Sequence, residues 1–195
     1  ELLDLAKELF DYSKSLIRVY SEWDKEYYPN PEYFDEKTDE GYYILKTNDI
    51  YVEVLNFVLY HEIAHAEFEH IKNIQINKLS NDEIKKLELE AESRAIELML
   101  FNCRNNKATE IAITIGLASM LFSRNNLYGG PKHPKVNERI ENFLQIVNLQ
   151  DDSPVWAFLV IFLKLWEKQF SLNFKQKKEY DTYKEVYYEL IGQVK

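Results

Sequence analysis

Two histidines four residues apart, His61 and His65, enclose Glu62 in the run His61-Glu62-Ile63-Ala64-His65. On a helix, positions i and i+4 share a face, so both imidazoles can reach one ion, while Glu62, one step round, can reach a water on that ion. This is the equipment of metal-assisted hydrolysis. A zinc ion polarises a peptide carbonyl and lowers the pKa of a bound water towards ~7, and the carboxylate takes the proton and later passes it to the leaving amine. Read blandly, the same run is two surface histidines and a solvated Glu. It follows Val58-Leu59-Tyr60, however, and charged groups buried there need a role.

A third protein ligand is required. The metzincin solution demands Gly three residues and His six residues after His65, and those positions hold Phe68 and Ile71, so it fails. His70 follows His65 by five, which on one continuous helix turns it about 140° away, so it reads as a solvated or hydrogen-bonded side chain and not as a ligand. The remaining source is a carboxylate from the following helix. In Glu88-Leu89-Glu90-Ala91-Glu92, Glu88 and Glu92 share a face that Ala91 and Ala95 allow to approach closely, while Glu90 points elsewhere. Taken alone, these three carboxylates would be an ordinary solvated face.

Together these motifs resemble those of gluzincin peptidases. Glu88-x-x-Ala91-Glu92 is similar to the Glu-x-x-Ala-Asp/Asn element that follows the HExxH helix there, including in the soluble ImmA/IrrE group. His133-Pro134 followed by Arg139-Ile140 resembles a later His-Pro-x-x-x-x-Arg-Ile element. Over roughly residues 20 to 145 the order of motifs is similar to that of the phage-exclusion Lit peptidases. The resemblance implies zinc bound by His61, His65 and Glu88, with Glu62 as general base. It implies His133 near the site as an oxyanion donor, Arg139 holding its loop, and Glu92 hydrogen-bonded to a ligating histidine. Glu92 stands where the family has Asp or Asn.

The elements that must position these groups are helical. Five Gly and five Pro in 195 residues are too few for the turns of a β-sandwich. Apolar spacing predicts a helix over 2–22, through Leu2, Leu3, Leu5, Leu9, Phe10, Leu16, Ile17 and Tyr20. A loop over 28–49 follows, with a short strand at 42–45. A helix capped by Asn48 or Asp49 then runs to about Ile71, apolar around most of its circumference and central to the core. Ser80 and Glu83 form a capping box opening the next helix, through Met99. Further helices are expected over 107–123, from Pro134 to Val147, from Ser153-Pro154 onward, and over 176–191 ending near Gly192. The expected fold class is mainly α, a compact multi-helix zincin-like core with a small β element near residues 42–45 to carry an extended substrate. Residues 1–150 form the peptidase domain and 151–195 a helical appendage packed on it. The chain opens on Glu1 already in a helical pattern, so further native sequence is expected upstream.

The charge sum of −9 argues against a partner held by phosphate contacts, whether nucleic acid or anionic membrane. The single cysteine, Cys103, fits a reducing compartment, and the longest apolar run, 155–163, is far shorter than a membrane span. The leading expectation is a cytoplasmic zinc endopeptidase in phage defence, for which the Lit resemblance implies elongation factor Tu as substrate and a phage-derived activator or fused sensor domain as partner. The alternatives are an ImmA/IrrE-like protease cleaving a repressor and a non-catalytic zinc-stabilised interaction module. The aromatics Tyr27, Tyr28, Tyr33, Phe34, Tyr42 and Tyr43 read as packing for the long loop, and Lys175, Lys177 and Lys178 as a solvated face.

Overall fold

The computed structural model describes residues 2–19, 21–103 and 105–194. Tyr20, placed above in the first helix, lies outside them, as do the side chains of Leu2, Leu3, Leu5 and Ile17. The described residues form eight α-helices and no strand: α1 (Leu2–Val19), α2 (Asp39–Glu67), α3 (His70–Asn77), α4 (Asn81–Asn102), α5 (Asn106–Ser119), α6 (Val136–Val147), α7 (Pro154–Phe170) and α8 (Tyr183–Ile191). A 3-10 turn, Met120–Ser123, extends α5. None of these helices is long and apolar enough to cross a membrane. The chain divides into two units, Glu1–Asp49 and Ile50–Lys195, with α2 beginning in the first and continuing in the second.

In the first unit the strand expected at 42–45 is absent, and those residues lie in the second turn of α2. Thr38 is the reason. Its Oγ1 accepts the Gly41 N–H at 3.0 Å, and Asp39 and Glu40 add negative charge to the first turn, so the helix starts ten residues before Asn48 and Asp49. Gly41, which reads as a loop residue, is instead a point of close approach, since a Cβ there would lie 1.9 Å from the Asp35 carbonyl oxygen. Of the aromatics expected to pack the preceding loop, Tyr28 does so, against Trp23 and against Tyr12 of α1, whereas Tyr27, Tyr33, Tyr42 and Tyr43 are exposed. Tyr28 stacks on Tyr12 at 4.3 Å, Trp23 lies 5.3 Å from both, and the Trp23 indole N–H donates to the Pro29 carbonyl.

The second unit holds the core. Ile96, Ile113, Leu117, Phe143, Leu159, Leu163, Trp166 and Tyr187 are buried together, so α4, α5, α6, α7 and α8 share one apolar interior. Each such side chain contributes about 1.5–3 kcal/mol of transfer free energy. Polar handles are satisfied locally, as where the Trp166 indole donates to the Arg124 carbonyl at 2.7 Å. The capping box at Ser80 and Glu83 opens α4, and Ser153 with Pro154 opens α7, both as expected. α8 begins only at Tyr183, because Thr182 and Glu185 make the capping box there, while the N–H groups of Lys175 and Lys177 bond to Gln193 and Glu189.

α2 is less central than its composition suggests. Phe57 and Ala64 are buried, but Val52, Leu55, Val58 and Leu59 are about half exposed, so one side of the helix packs and the other does not. On the packed side Gly116 of α5 admits it closely, a Cβ there lying 3.1 Å from the Phe57 ring. Nor does the helix reach Ile71. It ends at Glu67, the chain reverses hand at Glu69 (φ 53°), and α3 starts at His70.

Candidate active site

α2 and α4 bring the first three groups together. His61 and His65 sit one turn apart on the buried side of α2, their rings 4.7 Å apart and nearly perpendicular, and their Nε2 atoms are separated by 3.0 Å. Glu88 of α4 closes the triangle. Its Oε2 is 3.5 Å from His61 Nε2 and its Oε1 is 3.5 Å from His65 Nε2. Tetrahedral zinc with ligands at about 2.0–2.1 Å sets its donor atoms about 3.3 Å apart, so each of these contacts is near the donor spacing of one small divalent ion, the two contacts to Glu88 ending on different carboxylate oxygens. Ala64, Ala91 and Ala95 are fully buried, and a two-pronged ion pair runs from Arg94 of α4 to Glu67 of α2.

The electrostatics favour a carboxylate at Glu88. Burial alone would raise its pKa, but the hydrogen bond with His61 and the proximity of His133 and His65 outweigh that and bring it down to about 2. Burial lowers the pKa of His65, against the pull of Glu88, which keeps this imidazole neutral and able to offer a lone pair. Glu62 is exposed beside them and lines the same cavity, of about 550 Å³, which also opens onto Glu88 and has apolar walls at Phe57, Ile74 and Met120. A larger depression of about 760 Å³ beside Asp151 and Lys184 contains none of these groups.

His133 arrives from the loop before α6. A Cβ on Gly129 would lie 1.9 Å from the Pro134 carbonyl oxygen, and Gly130 has φ 128°, so these two glycines let the chain fold back on itself, and the Val136 N–H bonds the Leu127 carbonyl. His133 is thereby held with Nδ1 3.1 Å from Glu88 Oε2, its side chain 55% exposed. α6 itself starts at Val136, two residues after Pro134, with the Lys135 N–H donating to the Glu138 carboxylate.

Glu92 has a different neighbourhood from the one the resemblance implies. It is completely buried, and its hydrogen bonds come from the Arg139 guanidinium and from Asn142 Nδ2, while the Nδ1 of His61 has no partner. Burial holds the Glu92 pKa above the ordinary carboxylate value although Arg139 and Asn142 oppose it, and the buried contact between Glu92 and Arg139 joins α4 to α6. Arg139 also reaches Met120 Sδ. Arg139 thus braces the base of the helix that follows His133.

His70 is hydrogen-bonded and outside the ligand cluster, as its spacing suggests, but its contact with the site was not expected. His70, turned back by the reversal at Glu69, is buried with Nδ1 2.9 Å from His65 Nδ1, and its Nε2 lies 3.1 Å from Glu90 Oε2. The 140° offset assumed an unbroken helix, and the break removes it. The one signal available was distributional, since all four histidines of the chain fall in or beside the motifs.

The family model for Peptidase U49 matches residues 1–159. The chain belongs to the peptidase U49 family. No curated protein and no solved structure matches it. A proteolytic function follows from membership of this peptidase family, and in this U49 chain the His61, His65 and Glu88 cluster is compatible with a bound metal. The match takes in α1 to α6, so every group described above lies within it.

Proposed function

We propose that this U49 peptidase is a zinc-dependent endopeptidase of the gluzincin type, Lit-like, cleaving a cytoplasmic protein in phage defence, with elongation factor Tu as the substrate the resemblance implies. The observation that carries the metal reading is the gathering of His61, His65 and Glu88, with the two Nε2 atoms 3.0 Å apart and a different Glu88 oxygen 3.5 Å from each. When bound, zinc supplies Lewis-acid polarisation of the scissile carbonyl and acidifies a water. Glu62, exposed to the cavity one step round the helix from the ligands, is the base that takes that water's proton and returns it to the departing amine. His133, with Nδ1 3.1 Å from Glu88 Oε2, lines the same cavity and is the group that the resemblance makes a donor to the developing oxyanion. A closed structural site has no use for a carboxylate such as Glu62 beside the metal, which favours catalysis over a zinc-stabilised interaction module.

His133→Ala should therefore lower kcat by ~10²-fold, the scale of losing one oxyanion donor, with zinc content and melting temperature held. Unchanged turnover in this variant would leave His133 outside the chemistry. The substrate is tested in cells expressing the wild type or Glu62→Gln, read for new protein termini. The wild type alone should generate a new terminus in elongation factor Tu. A new terminus in a repressor would favour the ImmA/IrrE-like reading, and no new terminus anywhere would favour the interaction module.

A further inference from the structure

We propose that His70 and Glu90 are positioning residues for the metal centre: together they fix the tautomer of His65 so that its Nε2 lone pair faces the ion. The inference rests on the zinc reading above and concerns two residues that the motifs leave without a role.

The argument is a count of protons along one line of atoms. Glu90 Oε2 lies 3.1 Å from His70 Nε2, His70 Nδ1 lies 2.9 Å from His65 Nδ1, and His65 Nε2 points into the triangle with His61 and Glu88. An ionised carboxylate only accepts, so the hydrogen on this contact is His70 Nε2–H. A neutral imidazole protonated on Nε2 has a bare Nδ1, which can only accept. The short contact between the two Nδ1 atoms is then made by His65 Nδ1–H donating to His70 Nδ1, the arrangement in which both imidazoles are neutral. His65, carrying its proton there, is left with an unprotonated Nε2 aimed at Glu88 and His61, which is the state a metal ligand needs.

Placement supports the same role. His70 is 1% exposed, and its ring stands at 76° to His65 with centroids 5.0 Å apart, so its orientation is fixed by packing and not by solvent. Glu69, a non-glycine residue with φ 53°, adopts the left-handed conformation that turns the chain so His70 meets His65. Glu90 lies two positions from both Glu88 and Glu92 and so off the face they share, and its side chain is about half exposed, so it contributes little to the core. The Glu92 side chain is engaged by Arg139 and Asn142, and the Nδ1 atom of His61 has no partner, so of the two histidines only His65 has its outer nitrogen held.

The test is zinc affinity, measured by competition with a chromogenic chelator, on full-length wild type, His70→Phe, His70→Gln and Glu90→Ala, with the unfolding midpoint of each metal-free protein recorded alongside. His70→Phe keeps ring bulk and removes the acceptor, and it should weaken zinc binding ~10–100-fold, the usual cost of losing such a partner. His70→Gln offers a carbonyl oxygen to His65 Nδ1–H and should recover much of that loss, which a purely space-filling role would not allow. Glu90→Ala, at an exposed position, should weaken zinc several-fold with the metal-free midpoint unchanged, and it carries the test if His70→Phe fails to fold. Zinc affinity within twofold of wild type in Glu90→Ala and in whichever His70 variant folds overturns the inference while leaving the metal reading intact. A wild type that binds no zinc overturns the metal reading and this inference with it.

Discussion

Glu62→Gln is expected to retain fold and zinc while losing peptide hydrolysis by several orders of magnitude. The amide matches the carboxylate in shape but cannot take a proton from the attacking water or return it to the amine, so the loss falls on kcat and not on substrate binding. Glu62 makes this a clean experiment because it is exposed to the cavity, so the change costs no core packing. Single-turnover assays on the metal-loaded variant and circular dichroism of the same sample check both halves of the statement. Cleavage at the wild-type rate would remove Glu62 from the mechanism.

The second large effect is on stability. Arg139→Ala leaves the fully buried Glu92 without its guanidinium partner, and breaking a buried pair from one side costs about 3–5 kcal/mol. Urea unfolding should show that loss as a lower midpoint. The double variant Glu92→Leu with Arg139→Met removes both charges and should regain most of it, because apolar replacements of a buried pair are often neutral. A single variant within about 0.5 kcal/mol of wild type would mean that the Arg139 contact does not hold α4 against α6, since changes of that size are typical of surface positions.

The parts of the site that sequence made legible are those written in short-range spacing. His61 and His65 meet because residues four apart on one helix must, and the Ser80–Glu83 capping box and the Ser153-Pro154 start depend on contacts within a single turn. The misreadings arose where a contact or a helix end that the apolar spacing did not announce changed the meaning of a residue. Gly41 looked like a loop glycine until the Asp35 carbonyl was found against it, and Tyr42 to Leu45 looked extended until Thr38 capped the helix that contains them. His70 is hydrogen-bonded and not among the ligands, as expected, but the angle that turned it away from His65 belonged to a helix that in fact ends at Glu67. The apolar composition of α2 suggested burial on all sides, whereas Phe57 and Ala64 are buried and Val52 and Leu59 are not. The role of Glu92 depended on a partner 47 residues away, which no spacing within α4 could reveal.

The central claim is that His61, His65 and Glu88 form one metal site, and metal analysis of the purified protein after exhaustive dialysis tests it most directly. The wild type should carry about one zinc per chain, with His61→Ala and Glu88→Ala each falling to a small fraction of that, because each removes one of three protein ligands. Glu92→Ala should retain zinc as far as it remains folded, since Glu92 is engaged by Arg139 and lies outside the donor triangle. Full occupancy in Glu88→Ala together with an empty site in folded Glu92→Ala would contradict the ligand assignment, and a wild type without metal would contradict the account as a whole.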